Sequence, residues 1–116
     1  MLENIALIKE VHQHTPIQEA EEEAQYHLAK IGLDNISKNR IVQCSKIEIF
    51  YVMLIRALMT EDKNIVIVLP FSITNNLTDV KGFIDNIEIL NDKNILILDL
   101  YTNESKYKDT LCNTIK

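Results

Sequence analysis

Two short apolar runs, residues 65–69 (Ile-Val-Ile-Val-Leu) and 95–98 (Ile-Leu-Ile-Leu), constrain this chain more than any other feature. Each is continuous rather than alternating, and each is too short for a helix. Such a run reads as a strand covered on both faces, as in a parallel sheet. Pro70 stops the first run, because proline cannot donate to a ladder. Between the runs, residues 77–90 set Val80, Phe83, Ile84, Ile87 and Leu90 at helical spacing. Gly82 inside that helix costs about 1 kcal/mol against alanine. Strand, helix, strand at this length is a βαβ unit, expected to be parallel with a right-handed crossover.

Ahead of this unit the pattern is helical. Thr15-Pro16-Ile17-Gln18 reads as a helix start, with Thr15 as cap, Pro16 in the first turn and Gln18 closing a capping box. Ile17, Ala20, Ala24, Leu28 and Ile31 then form one apolar stripe, and the acidic run 19–23 forms the wet face opposite. Gly32 stands where a left-handed C-terminal cap is wanted, and Leu33 can fold back onto the last turn. Ser45 with Glu48 is a second capping box. The helix it opens runs to about Met59. Ile47, Phe50, Tyr51, Leu54 and Leu58 line one side of it. Ile49, Val52 and Met53 add apolar surface elsewhere, so it is expected to be buried on several sides. A last short helix is expected over residues 105–115. The expected class is therefore α/β, in one domain: residues 1–60 mainly helical, residues 61–116 carrying the βαβ unit and a C-terminal segment.

A chain of 116 residues can bury a single core. Its net charge of −5 and the absence of a basic stripe argue against nucleic acid. The longest apolar run, residues 49–55, holds seven residues, far short of the ~20 a spanning helix needs. No basic segment followed by an apolar core opens the sequence, so no signal peptide is read and the expected location is cytoplasmic. Cys44 and Cys112 fit a reducing compartment and lack the spacing of a metal or redox pair. The sequons at Asn35, Asn76 and Asn103 carry no meaning in such a compartment.

Few residues invite chemistry. Ser45-Lys46 at a helix start could hold an anion through free N–H groups and the helix dipole, against the simpler reading of a cap beside an exposed lysine. Asp99 lies at the carboxyl end of a parallel strand, where α/β sheets place ligands, but no second acid or base is assigned near it. His12 and His14 lack a third ligand and read as surface residues; His27 reads as a boundary residue of its helix. No Ser-His-Asp or Cys-His arrangement can be drawn. Tyr101 and Tyr107 do not interleave with basic residues, so base stacking is not suggested.

Residues 44–58 followed by 65–72 resemble the ABC-transporter ATPase pattern, in which a signature loop of the LSGGQ kind opens a helix ending in ARAL, followed by the Walker B strand and a proline. Ser45, Glu48, Val52, Arg56, Ala57, Leu58 and Pro70 fall at family spacing without a gap. Glu3-Asn4-Ile5-Ala6-Leu7 is similar to the segment after the family's Q-loop strand. Residues 17–34 resemble its helical subdomain, which in the family docks on the permease. Residues 95–98 stand at its switch strand. The resemblance covers residues 2–100.

The departures shape what the resemblance implies. No Gly-x-x-x-x-Gly-Lys-Ser/Thr exists in a chain with two glycines, so no P-loop can wrap phosphates. The half of the fold that would carry it is expected to be absent ahead of Met1. Val68 and Leu69 replace the Walker B acids that would hold magnesium, and the switch-histidine position falls near Leu100. Lys46 and Ile47 replace the signature glycines, leaving Ser45, Lys46, Ile47 and Glu48 as an eroded loop and a weak anion site.

The implied protein is a degenerate, non-catalytic ABC-ATPase-like one without cofactor, metal or catalytic residues. It would be an accessory or regulatory subunit of a transporter system. Two alternatives stand beside it: a fragment completing a split ATPase in trans, and a small dimeric α/β interaction domain unrelated to transport. Two strands alone leave an apolar edge at residues 95–98. Residues 4–11, the C-terminal segment, a second copy or a partner must cover it. A homo-oligomer or a complex with an ABC ATPase or permease is expected, without insertion into the membrane.

Overall fold

The computed structural model describes residues 1–74, 79–113 and 115. Three helices come first, α1 (Leu2–His12), α2 (Ile17–Lys30) and α3 (Lys46–Leu58). Strand β1 (Asn64–Val68), the one-turn α4 (Pro70–Ile73), α5 (Val80–Leu90) and β2 (Asn94–Leu98) follow. Short 3-10 turns occupy Asp34–Ile36, Ile41–Gln43 and Tyr101–Tyr107. The molecule is mixed helix and sheet and mostly helical. The two strands pair parallel, in register from Asn64 with Asn94 to Val68 with Leu98.

The helix ends follow local chemistry. At α2's end Gly32 sits at φ 73, its N–H donates to the Ala29 carbonyl at 3.1 Å, and Leu33 N–H donates to Leu28 at 2.9 Å. This is a Schellman cap, as the sequence leads one to expect. The start of α2 differs from expectation. Pro16 is itself the N-cap, its extended ψ of 141° aiming its carbonyl at Ala20 N–H, while Thr15 donates its N–H back to Lys9 and caps nothing with its hydroxyl. Ala20, Ala24 and Leu28 are buried, but Ile17, one turn before them, stays exposed.

α3 begins with both halves of the Ser45–Glu48 box. Ser45 N–H donates to Glu48 Oε1 at 2.7 Å, and Glu48 N–H donates to Ser45 Oγ at 3.3 Å. Phe50, Tyr51, Val52, Leu54, Ile55 and Leu58 are buried around more than half of its circumference; Met53 alone among its core candidates faces outward. Phe83 from α5 packs its ring 4.9 Å from that of Phe50 and 6.0 Å from that of Tyr51. Tyr51 keeps its polar end satisfied by accepting from Asn86 Nδ2 at 3.1 Å. Burial pushes the Tyr51 phenol up, and that hydrogen bond offsets part of the rise.

The strands depart from expectation in one respect. Ile65 and Ile67 are 8% and 7% exposed, but Val66 and Val68 between them are 55% and 54% exposed. Leu96 and Leu98, their partners across the sheet, are 50% and 49% exposed. Only one face of the sheet is covered. Helical cover on one side alone leaves a continuous apolar run half wet, so continuity did not imply two-sided burial. Asn64 and Asn94 close the open face at its amino end, joined side chain to side chain at 3.1 Å.

α5 begins at Val80, capped by Asp79; residues 75–78, including the expected helix start at Leu77 and the sequon at Asn76, lie outside the described residues. The expected last helix over 105–115 is replaced by the earlier 3-10 turn, and Asp109 at φ 63 breaks the chain direction after it. Lys93 ties the sheet to the helical part, its ammonium donating to the carbonyls of Thr60 and Asp62.

Candidate functional site

The carboxyl end of the sheet is the first place to look for chemistry in a parallel α/β arrangement. β1 ends in Val68 and Leu69. Leu69 takes a left-handed conformation (φ 48, ψ 58) and donates its N–H to Leu98 at 2.8 Å. Leucine rarely occupies this region, which costs on the order of 1 kcal/mol. The turn feeds Pro70 into the core and starts α4, whose Thr74 hydroxyl donates to the Pro70 carbonyl at 3.0 Å. Two apolar side chains thus end β1.

β2 ends in Asp99, whose carboxylate is heavily engaged. Oδ1 accepts from Leu100 N–H at 2.7 Å and from Asn103 Nδ2 at 2.8 Å, and Oδ2 accepts from the Tyr107 hydroxyl at 2.5 Å. Partial burial raises the Asp99 carboxyl, but hydrogen bonds from Tyr107, Asn103 and Leu100, together with nearby Lys106, outweigh it and hold the group below its usual range. Burial, then the bond to Asp99, pushes the Tyr107 phenol well above its ordinary value. Asp99 is therefore an ionised organiser of the turn that follows β2. Sequence reading found Asp99 but not its partners. The signal was present: Asp99, Asn103 and Tyr107 recur every fourth residue.

This clamp fixes the C-terminal segment beside β2. Tyr107 packs its ring 5.5 Å from Phe71, and Lys106 lies 4.7 Å above the same ring. Between that segment and α5 runs an open groove of about 890 Å³ along the outer side of β2. Ile84 and Ile87 of α5 line one wall, and Tyr107 and Leu111 line the other. No backbone hydrogen bond joins the C-terminal segment to β2 among the described residues. Residues 4–11 are also not the cover for this edge, because α1 packs on α2 and α3.

The eroded loop is a helix cap in this structure. The Ser45 and Glu48 N–H groups are taken by each other's side chains, and the Glu48 carboxylate already sits against the positive end of the α3 dipole. The N–H groups of Lys46 and Ile47 remain for an anion, beside an exposed Lys46 side chain. Burial and the Glu48 charge push the adjacent Cys44 thiol up, away from thiolate reactivity.

The histidines do not converge. His12 closes α1, and His14 follows at φ 51. His27 is held on α2 with Nδ1 buried and without a hydrogen-bond partner, 4.0 Å from Glu23 through Nε2. No group of three His, Cys, Asp or Glu among the described residues could hold a metal ion. No helix among them is long and apolar enough to cross a membrane.

The chain matches no protein-family model, no curated protein and no solved structure.

Proposed function

We propose that this chain is a non-catalytic, ABC-ATPase-like protein that acts by associating with another protein, as an accessory or regulatory subunit of a transporter system, peripheral to the membrane. The observation that carries the reading is the carboxyl end of the sheet. Val68 and Leu69 offer no carboxylate to hold magnesium, and Asp99 spends both oxygens on the turn that follows it. The ordered succession of motif remnants from Glu3 to Pro70 supports the ABC-like part of the reading. The parallel βαβ unit is compatible with it.

The test is a thermal-shift titration of the purified chain with ATP and magnesium. A ligand at about 100 times its dissociation constant adds roughly 2.7 kcal/mol of stability. The expected result is no shift. A saturable shift that disappears in Lys46→Glu would overturn the reading in favour of nucleotide sensing at the start of α3.

The uncovered side of β2 favours a second reading, in which the chain completes a split ATPase supplied by another polypeptide. That reading requires ATP hydrolysis to appear when the two polypeptides are mixed, and to be absent from either alone.

A further inference from the structure

The segment from Asn35 to Ile47 differs from the rest of the chain in charge. It holds Lys38, Arg40 and Lys46 and no Asp or Glu, in a chain of net charge −5. All three cations are exposed. Among the described residues none of them has an ion pair or a side-chain hydrogen bond. The residues outside that set, 75–78, 114 and 116, carry no acidic side chain. Asp34 and Glu48 flank the segment, and Glu48 spends Oε1 on the Ser45 N–H. Lys46 stands in the first turn of α3, where a cation opposes the helix dipole, so its charge does not serve the helix.

The tip of the segment is apolar. Ile41 and Val42, in the 3-10 turn Ile41–Gln43, are 54% and 86% exposed. Single exposed apolar residues need no explanation. Here two adjacent aliphatic ones project between Arg40 and Lys46. The turn is closed on itself. Gln43 N–H donates to the Arg40 carbonyl at 2.9 Å, Cys44 N–H to the Ile41 carbonyl at 3.2 Å, and Arg40 N–H to Gln43 Oε1 at 2.9 Å. Its base is fixed to the core: Ile36 is buried, and the Ser37 carbonyl accepts from Leu2 N–H at 3.0 Å.

We propose that this loop is a lipid-contact surface, in which Ile41 and Val42 enter the headgroup boundary of an anionic bilayer and Lys38, Arg40 and Lys46 meet its phosphates. The inference goes beyond the association reading and does not depend on it, since sequence reading expected attachment through a partner without insertion. A projecting aliphatic tip with cations on either side suits a fluid apolar layer beneath a negative surface. Binding there scales with the apolar area buried plus the attraction to anionic lipid. The turn brings its own hydrogen bonds with it, which limits the backbone groups stranded by entry. The N–H groups of Ile41 and Val42 have no backbone acceptor among the described residues and are available to headgroup oxygens. Only two side chains reach the boundary, so the attachment is weak and reversible. No helix among the described residues is long and apolar enough to cross the bilayer. The negative charge of the remaining chain turns this loop, rather than another face, toward the lipid.

The chain has no tryptophan, so Val42→Trp places a single one at the tip. The probe is a vesicle of phosphatidylcholine with about one-third phosphatidylserine, compared with phosphatidylcholine alone. With the anionic vesicles the expected result is cosedimentation, a blue-shifted tryptophan emission and quenching by brominated acyl chains. With the neutral vesicles none of these is expected. Without the tryptophan, binding should weaken about fivefold for each of Lys38→Gln, Arg40→Gln and Lys46→Gln. Val42→Asp should weaken it by about tenfold. These side chains are exposed, so circular dichroism should not change. The proposal is overturned if the folded chain does not bind anionic vesicles up to about 1 mM lipid. It is equally overturned if Val42→Asp binds as well as the natural chain, or if the tryptophan emission of vesicle-bound Val42→Trp does not shift. Contact would then be through charge alone, which an acidic protein surface would serve equally. The vesicles contain no protein, so failure here leaves the association reading standing. An ATP-induced thermal shift would sink that reading and leave the lipid contact untouched.

Discussion

The Tyr107 hydroxyl donates to Asp99 Oδ2 at 2.5 Å and, with the Asn103 bond to Oδ1, joins the end of β2 to the segment that walls its outer groove. Tyr107→Phe should destabilise the chain by about 1 kcal/mol at neutral pH, the lower part of the range for a bond to a charged group, because the pair is only half-buried. The Asp99 carboxyl is held below its ordinary value of 3.8 in the folded chain. Its contribution is therefore complete above that value and is lost as pH falls through the depressed folded value. Urea melts across the acid range should show a shallower fall in stability for the phenylalanine variant. An unchanged acid limb would mean that Asn103 and Leu100 suffice.

Gly82 and Asp79 form a coupled pair at the start of α5. Asp79 Oδ1 accepts from Gly82 N–H at 2.9 Å, and a Cβ on residue 82 would lie 2.3 Å from Asp79 Oδ2. Gly82→Ala gains about 1 kcal/mol of helix propensity and loses a comparable amount by displacing the cap. In the natural chain its net effect on the urea midpoint should be small. In an Asp79→Ala background the same change should stabilise by about 1 kcal/mol, a coupling that a double-mutant cycle reads directly.

Gly32 separates backbone strain from crowding. It sits at φ 73, and a Cβ built there would meet nothing within 4 Å. Gly32→Ala should cost about 1–2 kcal/mol, all of it from the left-handed conformation. Gly32→Asn should recover part of that loss, because asparagine tolerates the region better. Equal losses for the two variants would show that the α2 cap has rearranged.

His27 gives the chain a second pH dependence, of the same sign as Asp99 but in a different window. Burial lowers its pKa below 6.5, opposed by Glu23 and Asp92 and assisted by Lys30 and Lys9. The folded state prefers the neutral ring, so stability is full above the ordinary histidine value and falls as pH drops below it. Thermal melts from neutral pH to about pH 5.5 should show this loss. His27→Gln should flatten it. A wild-type midpoint that rises over that interval would contradict the assignment.

Local signals were the legible ones. The Ser45–Glu48 box and the Gly32 cap depend on residues within five positions of each other, and both form as expected. The two strands and the intervening helix were legible from their apolar runs. What escaped was set by partners elsewhere in the fold. Thr15 is drawn into the turn out of α1 by its N–H bond to Lys9, and the helix starts one residue later with Pro16 as the cap. The outer face of β1 stayed open because no described element covers Val66 and Val68, which no property of the run itself encodes. Of the candidate site, Asp99 was visible as a position, and its role emerged only with Tyr107 and Asn103 bonded to it.

The register of the sheet also has a consequence for synthesis. Ile65 pairs with Ile95, so β1 leaves the ribosome thirty residues ahead of the strand it needs. At about 5–20 residues per second, that is a wait of roughly two to six seconds. The helices α1, α2 and α3 have no such delay, since their contacts with one another are all made from residues that emerge before β1. During the interval the Ile-Val-Ile-Val run hangs unpaired from a helical part that still lacks α5 and its Phe83. Slower elongation lengthens that exposure, so the yield of intact chain should depend on the codons between residues 69 and 94 more than on those before them.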